Sequence, residues 1–167
     1  MPVELNGVAL SSWQGVAETA EWEDLAAAGR ILEPPMAAPG GYQSGAGVVI
    51  RESDGRVWLV APSNGFGGYL VTFPKGTREG KSAQATALAE AFEESGLQVR
   101  LVSHLLDLQR SQSYTRYYLA ERIGGNPADM GWESQAVLLA PPGELPKLLN
   151  SPYDQTLIKK LAALPHP

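Results

Sequence analysis

Hydrophobic positions in the middle of the chain fall into short β-rich runs, Ala-Gly-Val-Val-Ile-Arg at 46–51 and Arg-Val-Trp-Leu-Val-Ala at 56–61. Between them, Ser53-Asp54-Gly55 predicts a hairpin, because Asp-Gly tolerates the positive φ that tight turns require. A glycine-rich stretch at 64–68 follows, and then a strand over 69–73 that Pro74-Lys75-Gly76 should end. The pattern then changes to helical spacing. Over 82–95, Ala85, Leu88 and Phe92 form an apolar stripe, Ser82 is an N-cap candidate and Gly96 a C-terminal stop. Strands are expected at 99–108, 114–122 and 133–140, a loop at 124–127, and helices at 144–149 and 154–164.

Residues 1–44 read as an N-terminal extension: a short strand within 5–13, a short helix over 20–28, and a Pro/Gly linker at 33–41. Trp13, Trp22 and Trp58 are expected to be packing residues. Residues 45–167 form the main domain. Mixed strands with few, dispersed helices predict an α+β fold, with a sheet covered by helices.

Composition narrows the chemistry. The 167 residues include no cysteine, which excludes disulfides, thiolate catalysis and cysteine-based zinc sites. His104 and His166 are the only histidines and lie far apart, so both read as structural or solvated. The net charge of -5 disfavours long nucleic acids, whose binding depends on Lys and Arg neutralising phosphates. A small phosphorylated substrate is compatible with that charge if a cation screens the site. No apolar run spans a membrane and the first residues do not resemble a secretion signal, so the expected location is cytoplasmic.

Glu90, Glu93 and Glu94 recur at spacings of three and four, which sets all three on one helical face. Such like-charge pairs cost about 0.2–0.5 kcal/mol each, and the helix dipole disfavours anions near a C-terminus. No basic residue stands one turn away within the helix. Two readings are open for an isolated Glu-x-x-Glu-Glu: a solvated acidic face, or a site for a hard divalent cation such as Mg²⁺ or Mn²⁺.

The surrounding residues favour the second. Phe73-Pro74-Lys75-Gly76, followed by Ala87-Leu88-Ala89-Glu90-Ala91-Phe92-Glu93-Glu94-Ser95-Gly96-Leu97, resembles the signature of the Nudix hydrolase family. Gly76 matches its opening glycine, and Glu90, Glu93, Glu94 and Gly96 match its closing half. Two positions depart. Lys81 stands where the family has a glutamate and Ala89 where it has an arginine, a pair that braces loop against helix in the family.

The resemblance implies a Nudix fold, an α/β/α sandwich with a mixed central β-sheet between helices. It implies Glu90 and Glu94 as principal metal ligands, Glu93 sharing the metal or orienting the attacking water, and the Gly76 carbonyl as a further ligand. Gly131-Trp132-Glu133-Ser134-Gln135-Ala136 looks like the corresponding region of the diadenosine tetraphosphate hydrolase branch, making Glu133 a candidate fourth ligand or general base. Its alternative is a surface glutamate at a strand start. Residues 113–118 resemble the strand after the signature in that branch and in the diphosphoinositol polyphosphate branch. Lys75, Arg110, Arg116 and Tyr118 are the expected substrate contacts, with Tyr114, Arg116 and Tyr118 on one face of their strand. The expected activity is Mg²⁺-dependent cleavage of a diphosphate linkage in a nucleoside diphosphate-linked compound, such as a dinucleoside polyphosphate or an ADP-ribose-like molecule. The alternative is a catalytically weak nucleotide-binding module of the same fold. The resemblance leaves a homodimer open, and the stretch at 64–68 reads as a connection or substrate-gating loop, because it lacks a P-loop's Gly-Lys-Ser/Thr ending.

Overall fold

The central hairpin forms as its turn chemistry requires. In the computed structural model, which describes residues 2–63 and 70–167, strand β3 (Gln43–Arg51) pairs antiparallel with β4 (Val57–Pro62). Gly55 has φ +91°, and the Arg56 amide donates to Asp54 Oδ1 at 3.1 Å. The glycine-rich stretch at 64–68, and Tyr69 after it, lie outside the described residues.

The strand expected at 69–73 is displaced. Of its described residues, only Thr72 forms a bridge, to Val60. The strand itself, β5 (Lys75–Thr77), falls on the residues expected to end one. Packing overrides local preference here. β5 pairs antiparallel with β3, Ala46 opposite Gly76 and Gly47 opposite Lys75, where glycines allow close approach. A Cβ at Gly47 would stand 2.7 Å from the Pro74 carbonyl oxygen. Pro74 donates no backbone hydrogen bond, yet its carbonyl accepts one from Val48 N at 3.0 Å.

Helix α2 (Ala83–Ser95) is capped as predicted: Ser82 Oγ accepts from Ala85 N at 3.1 Å, and Gly96 ends the helix at φ +72°. β6 (Leu97–Gln109) and β7 (Ser113–Gly125) form a long antiparallel pair, and β7 lies parallel to β3. β8 (Ser134–Ala140) flanks β4, giving the order β6-β7-β3-β4-β8, with β5 pairing β3 off this path. Two short helices close the chain, α3 (Leu145–Leu148) and α4 (Pro152–Ala162).

Alternation along the mixed sheet builds two cores. Val48, Ile50, Trp58 and Tyr118 face α2, whereas Val49, Leu59, Tyr117 and Leu119 pack with Leu145, Leu157 and Leu161 of α3 and α4. This is the expected α/β/α sandwich. No described helix is long and apolar enough to cross a membrane.

The N-terminal segment departs from the expected single strand. Asn6 (φ +49°) and Gly7 (φ +84°) turn the chain between β1 (Glu4–Leu5) and β2 (Val8–Ala9), as Asn-Gly favours in a hairpin. Helix α1 (Thr19–Gly29) packs on α2: Trp13 lies edge-on to both Trp22 (5.9 Å) and Phe92 (5.0 Å), and Glu23 accepts hydrogen bonds from Ser82 N and Oγ.

Candidate metal and substrate site

The end of α2 is fixed at both its strand and loop sides. The Glu94 carboxylate accepts a 2.7 Å hydrogen bond from the Lys75 amide of β5. Glu90 lies against Gly76 so closely that a Cβ there would overlap its carboxyl group. On the other side, the Gly131 amide donates to the Glu93 carbonyl at 2.7 Å, and Asn126 N donates to Gly96 O at 3.0 Å. These bonds tie the loop before β8 to the helix terminus and bring Glu133 toward the same carboxylates.

The charges register this crowding. Burial, then Glu93 and Glu133, push the Glu90 pKa up from 4.5 to about 7. Burial, then Glu90, push Glu94 up to about 8, against the hydrogen bond and charge of Lys75. Burial also raises Glu93; Lys81 opposes this, while Glu133 and Glu79 add to it. Sequence reasoning missed Glu79 and Lys81 as members of this neighbourhood. Both lie in the turn between β5 and α2, where Glu79 has φ +49°, and their side-chain types gave no periodic signal. The missing family brace is replaced by other contacts: Arg78 Nε donates to Lys81 O at 2.9 Å, and Glu23 holds Ser82.

Among the described residues, no three His, Cys, Asp or Glu side chains converge into a ready-made cage. The available donors are carboxylate oxygens and the Gly76 carbonyl, which fit a hard divalent cation.

A match to the NUDIX domain model over residues 41–161 covers most of the chain. The chain belongs to the Nudix family of hydrolases. No curated protein matches it in sequence. Among solved structures, a Nudix hydrolase from Nitrosomonas europaea superposes with TM-score 0.63 at 14% identity, over 73% of this chain and 89% of that one. An Ap4A hydrolase from C. elegans gives 0.60 at 22% identity, over 71% and 96%. An ADP-ribose pyrophosphatase from Streptococcus suis gives 0.57 at 19%, over 72% and 87%. At these identities the likeness shows the Nudix fold.

Glu90 and Glu94 lie against Gly76 and Lys75 of β5, whereas the arginines are engaged elsewhere. Arg116 is 1% exposed. Its guanidinium binds Asp107 through Nε (2.7 Å) and Nη2 (2.8 Å), and donates to Glu33 (2.8 Å) and the Pro34 carbonyl (2.6 Å). Tyr118 donates its hydroxyl to the same Glu33 carboxylate. Glu33 is held below its ordinary pKa because, although burial opposes it, hydrogen bonds from Tyr118, Gln84 and Arg116 prevail. Arg116 and Tyr118 thus have their polar groups committed to a brace that fastens the supposed linker, a placement that does not fit substrate contact. His104 joins the brace, its Nε2 lying 3.0 Å from Asp107 Oδ1.

Arg110, 6% exposed, donates to the Tyr117 hydroxyl at 3.0 Å and lies 3.6 Å from Asp154 and 4.9 Å from the Tyr153 ring centre. It too is an internal group, on the α4 side of the sheet. Lys75 alone of the four expected substrate contacts adjoins the carboxylates. Burial, then the neighbouring Arg110, lower its pKa.

Replacing Glu33 with Ala removes one partner of a buried guanidinium and the acceptor of a phenol. A loss of about 1–3 kcal/mol in urea unfolding is expected, with Glu33→Gln falling between. Equal stability of wild type and Glu33→Ala would show that the brace contributes nothing.

Proposed function

We propose that the chain is a divalent-cation-dependent pyrophosphohydrolase that splits a diphosphate linkage in a nucleoside diphosphate-linked compound. The observation that carries the reading is the seating of Glu90 and Glu94 on adjacent residues of one strand, Gly76 and Lys75. Glu90, Glu94 and the Gly76 carbonyl would hold the ion, Mg²⁺ or Mn²⁺, with Glu93 sharing it. When bound, the ion neutralises diphosphate oxygens and makes the attacking water more acidic. Glu133, exposed beside β8, is placed to serve as the general base that would accept a proton from the attacking water. Lys75 holds a phosphate oxygen as a point charge. The names of the superposed Ap4A hydrolase and ADP-ribose pyrophosphatase support a nucleotide derivative as substrate. Purified protein should hydrolyse at least one of a panel of dinucleoside polyphosphates and nucleotide sugars with Mg²⁺, and stop on chelation. Saturable binding without turnover on any of them would favour the binding-module alternative instead.

A pH signature accompanies this reading. Glu90 and Glu94 hold protons up to about pH 7 and about pH 8 in the folded chain, against 4.5 ordinarily. Between those values the folded state binds more protons than the unfolded one, so without divalent ions this contribution to stability falls as pH rises from about 4.5 to about 8. An ion binding the ionised carboxylates opposes that fall. At saturating Mg²⁺ the melting temperature should rise by about 5–10 °C at pH 8.5 and much less at pH 5. Equal shifts at both pH values would count against carboxylate binding.

A further inference from the structure

Beyond Gly76 the chain turns through an open groove lined by Gln43, Ser44, Thr77, Arg78, Glu79, Gly80 and Lys81. The turn is well fixed. Lys81 N donates to Arg78 O, Arg78 Nε donates back to Lys81 O, both at 2.9 Å, and Gly80 has φ +85°. Those bonds occupy backbone atoms and one guanidinium nitrogen. Neither the Lys81 ammonium nor the Arg78 guanidinium forms an ion pair with any described carboxylate, although Glu79 lies between them in sequence. Two cations therefore stand without an ion pair among the described residues, on a chain of net charge -5. They also stand beside the acidic face of α2, since Glu90 and Glu93 both feel the Lys81 charge.

An anion entering the groove would meet both side chains. Lys75 precedes Gly76 and the groove follows it, so positive charge is available at both ends of β5. A substrate with only the linkage to be cleaved engages one end. A longer phosphate chain engages both. We propose that Arg78 and Lys81 form an anion subsite in this groove, with Lys81 a specificity-determining residue that selects substrates carrying phosphate beyond the diphosphate that is cleaved. The inference rests on the hydrolase reading above for its substrate class, but the subsite binds phosphate whether or not turnover occurs. Lysine suits the role as a mobile point charge, where the family's glutamate would repel the same group.

The test compares diadenosine diphosphate with diadenosine tetraphosphate, which share both ends and differ only in phosphate number. In the wild type, kcat/KM should favour the tetraphosphate. Lys81→Met should raise KM for the tetraphosphate about tenfold more than KM for the diphosphate, while the loss of charge beside Glu90 and Glu93 acts equally on both compounds. Lys81→Arg should restore the wild-type KM. Equal changes on both compounds, or none on either, overturn the proposal. A titration with inorganic tripolyphosphate in the presence of Mg²⁺ gives an answer independent of turnover. Wild-type affinity about tenfold above that of Lys81→Met supports the subsite, and identical affinities overturn it. If the wild type hydrolyses neither dinucleotide, the hydrolase reading loses its support on these compounds, while the titration still decides the subsite.

Discussion

Glu94→Gln should reduce turnover by about three orders of magnitude, and at pH 8 the same change should make the metal-free protein more stable. The two effects have one origin. Glu94 is raised to about 8 because burial and Glu90 oppose its charge. Glutamine keeps an oxygen able to accept from the Lys75 amide, so the 2.7 Å bond to β5 has a replacement. What disappears is the charge. Losing an ion ligand removes several kcal/mol of transition-state stabilisation, roughly a thousandfold in rate. Losing a half-buried, repelled carboxylate returns on the order of 1–3 kcal/mol to the metal-free fold, a gain of several degrees in melting temperature. That gain should vanish near pH 4.5, where wild-type Glu94 is already protonated. A variant that is inactive and also less stable at pH 8 would mean that Glu94 serves packing, and the proposed role would be lost.

Gly76→Ala should be nearly as damaging by a different route. The added methyl group overlaps the Glu90 carboxyl, so either β5 leaves β3 or Glu90 swings away from its neighbours. Overpacking of this kind costs about 1–3 kcal/mol, and displacing an ion ligand should lower turnover by at least about a hundredfold. Combining the change with Glu90→Asp separates these costs. The shorter carboxylate relieves the overlap and recovers melting temperature, but its reach is reduced and turnover stays low. Full turnover by Gly76→Ala alone would show that the close approach has no part in the chemistry.

The features that were legible in the sequence are those set by local rules. Ser82 and Gly96 bound α2 because capping needs only a side-chain oxygen and a residue tolerant of positive φ. Glu90, Glu93 and Glu94 share a face because helical geometry leaves no other option. What was hidden depended on distant partners. Lys75-Gly76-Thr77 has no β-rich character, and becomes a strand only because Gly45 and Gly47 let it lie against β3. Alternation placed Arg116 and Tyr118 correctly on one face, but nothing in that strand reveals that Glu33, from a Pro-rich segment far upstream, covers them. In the sequence Lys81 stands out only as a departure from a pattern, and the fold alone sets its charge near Glu93.

The contact between Glu23 and Ser82 has a consequence for how the chain can be cut. A fragment beginning at residue 41, where the family match starts, loses Glu23 from the first turn of α2 and exposes the flank of Phe92 that Trp13 and Trp22 cover. It also strips Glu33 from Arg116. The family-sized piece should therefore melt at a lower temperature than the whole chain. Its upstream segment acts as a splint on the helix that carries the acidic residues.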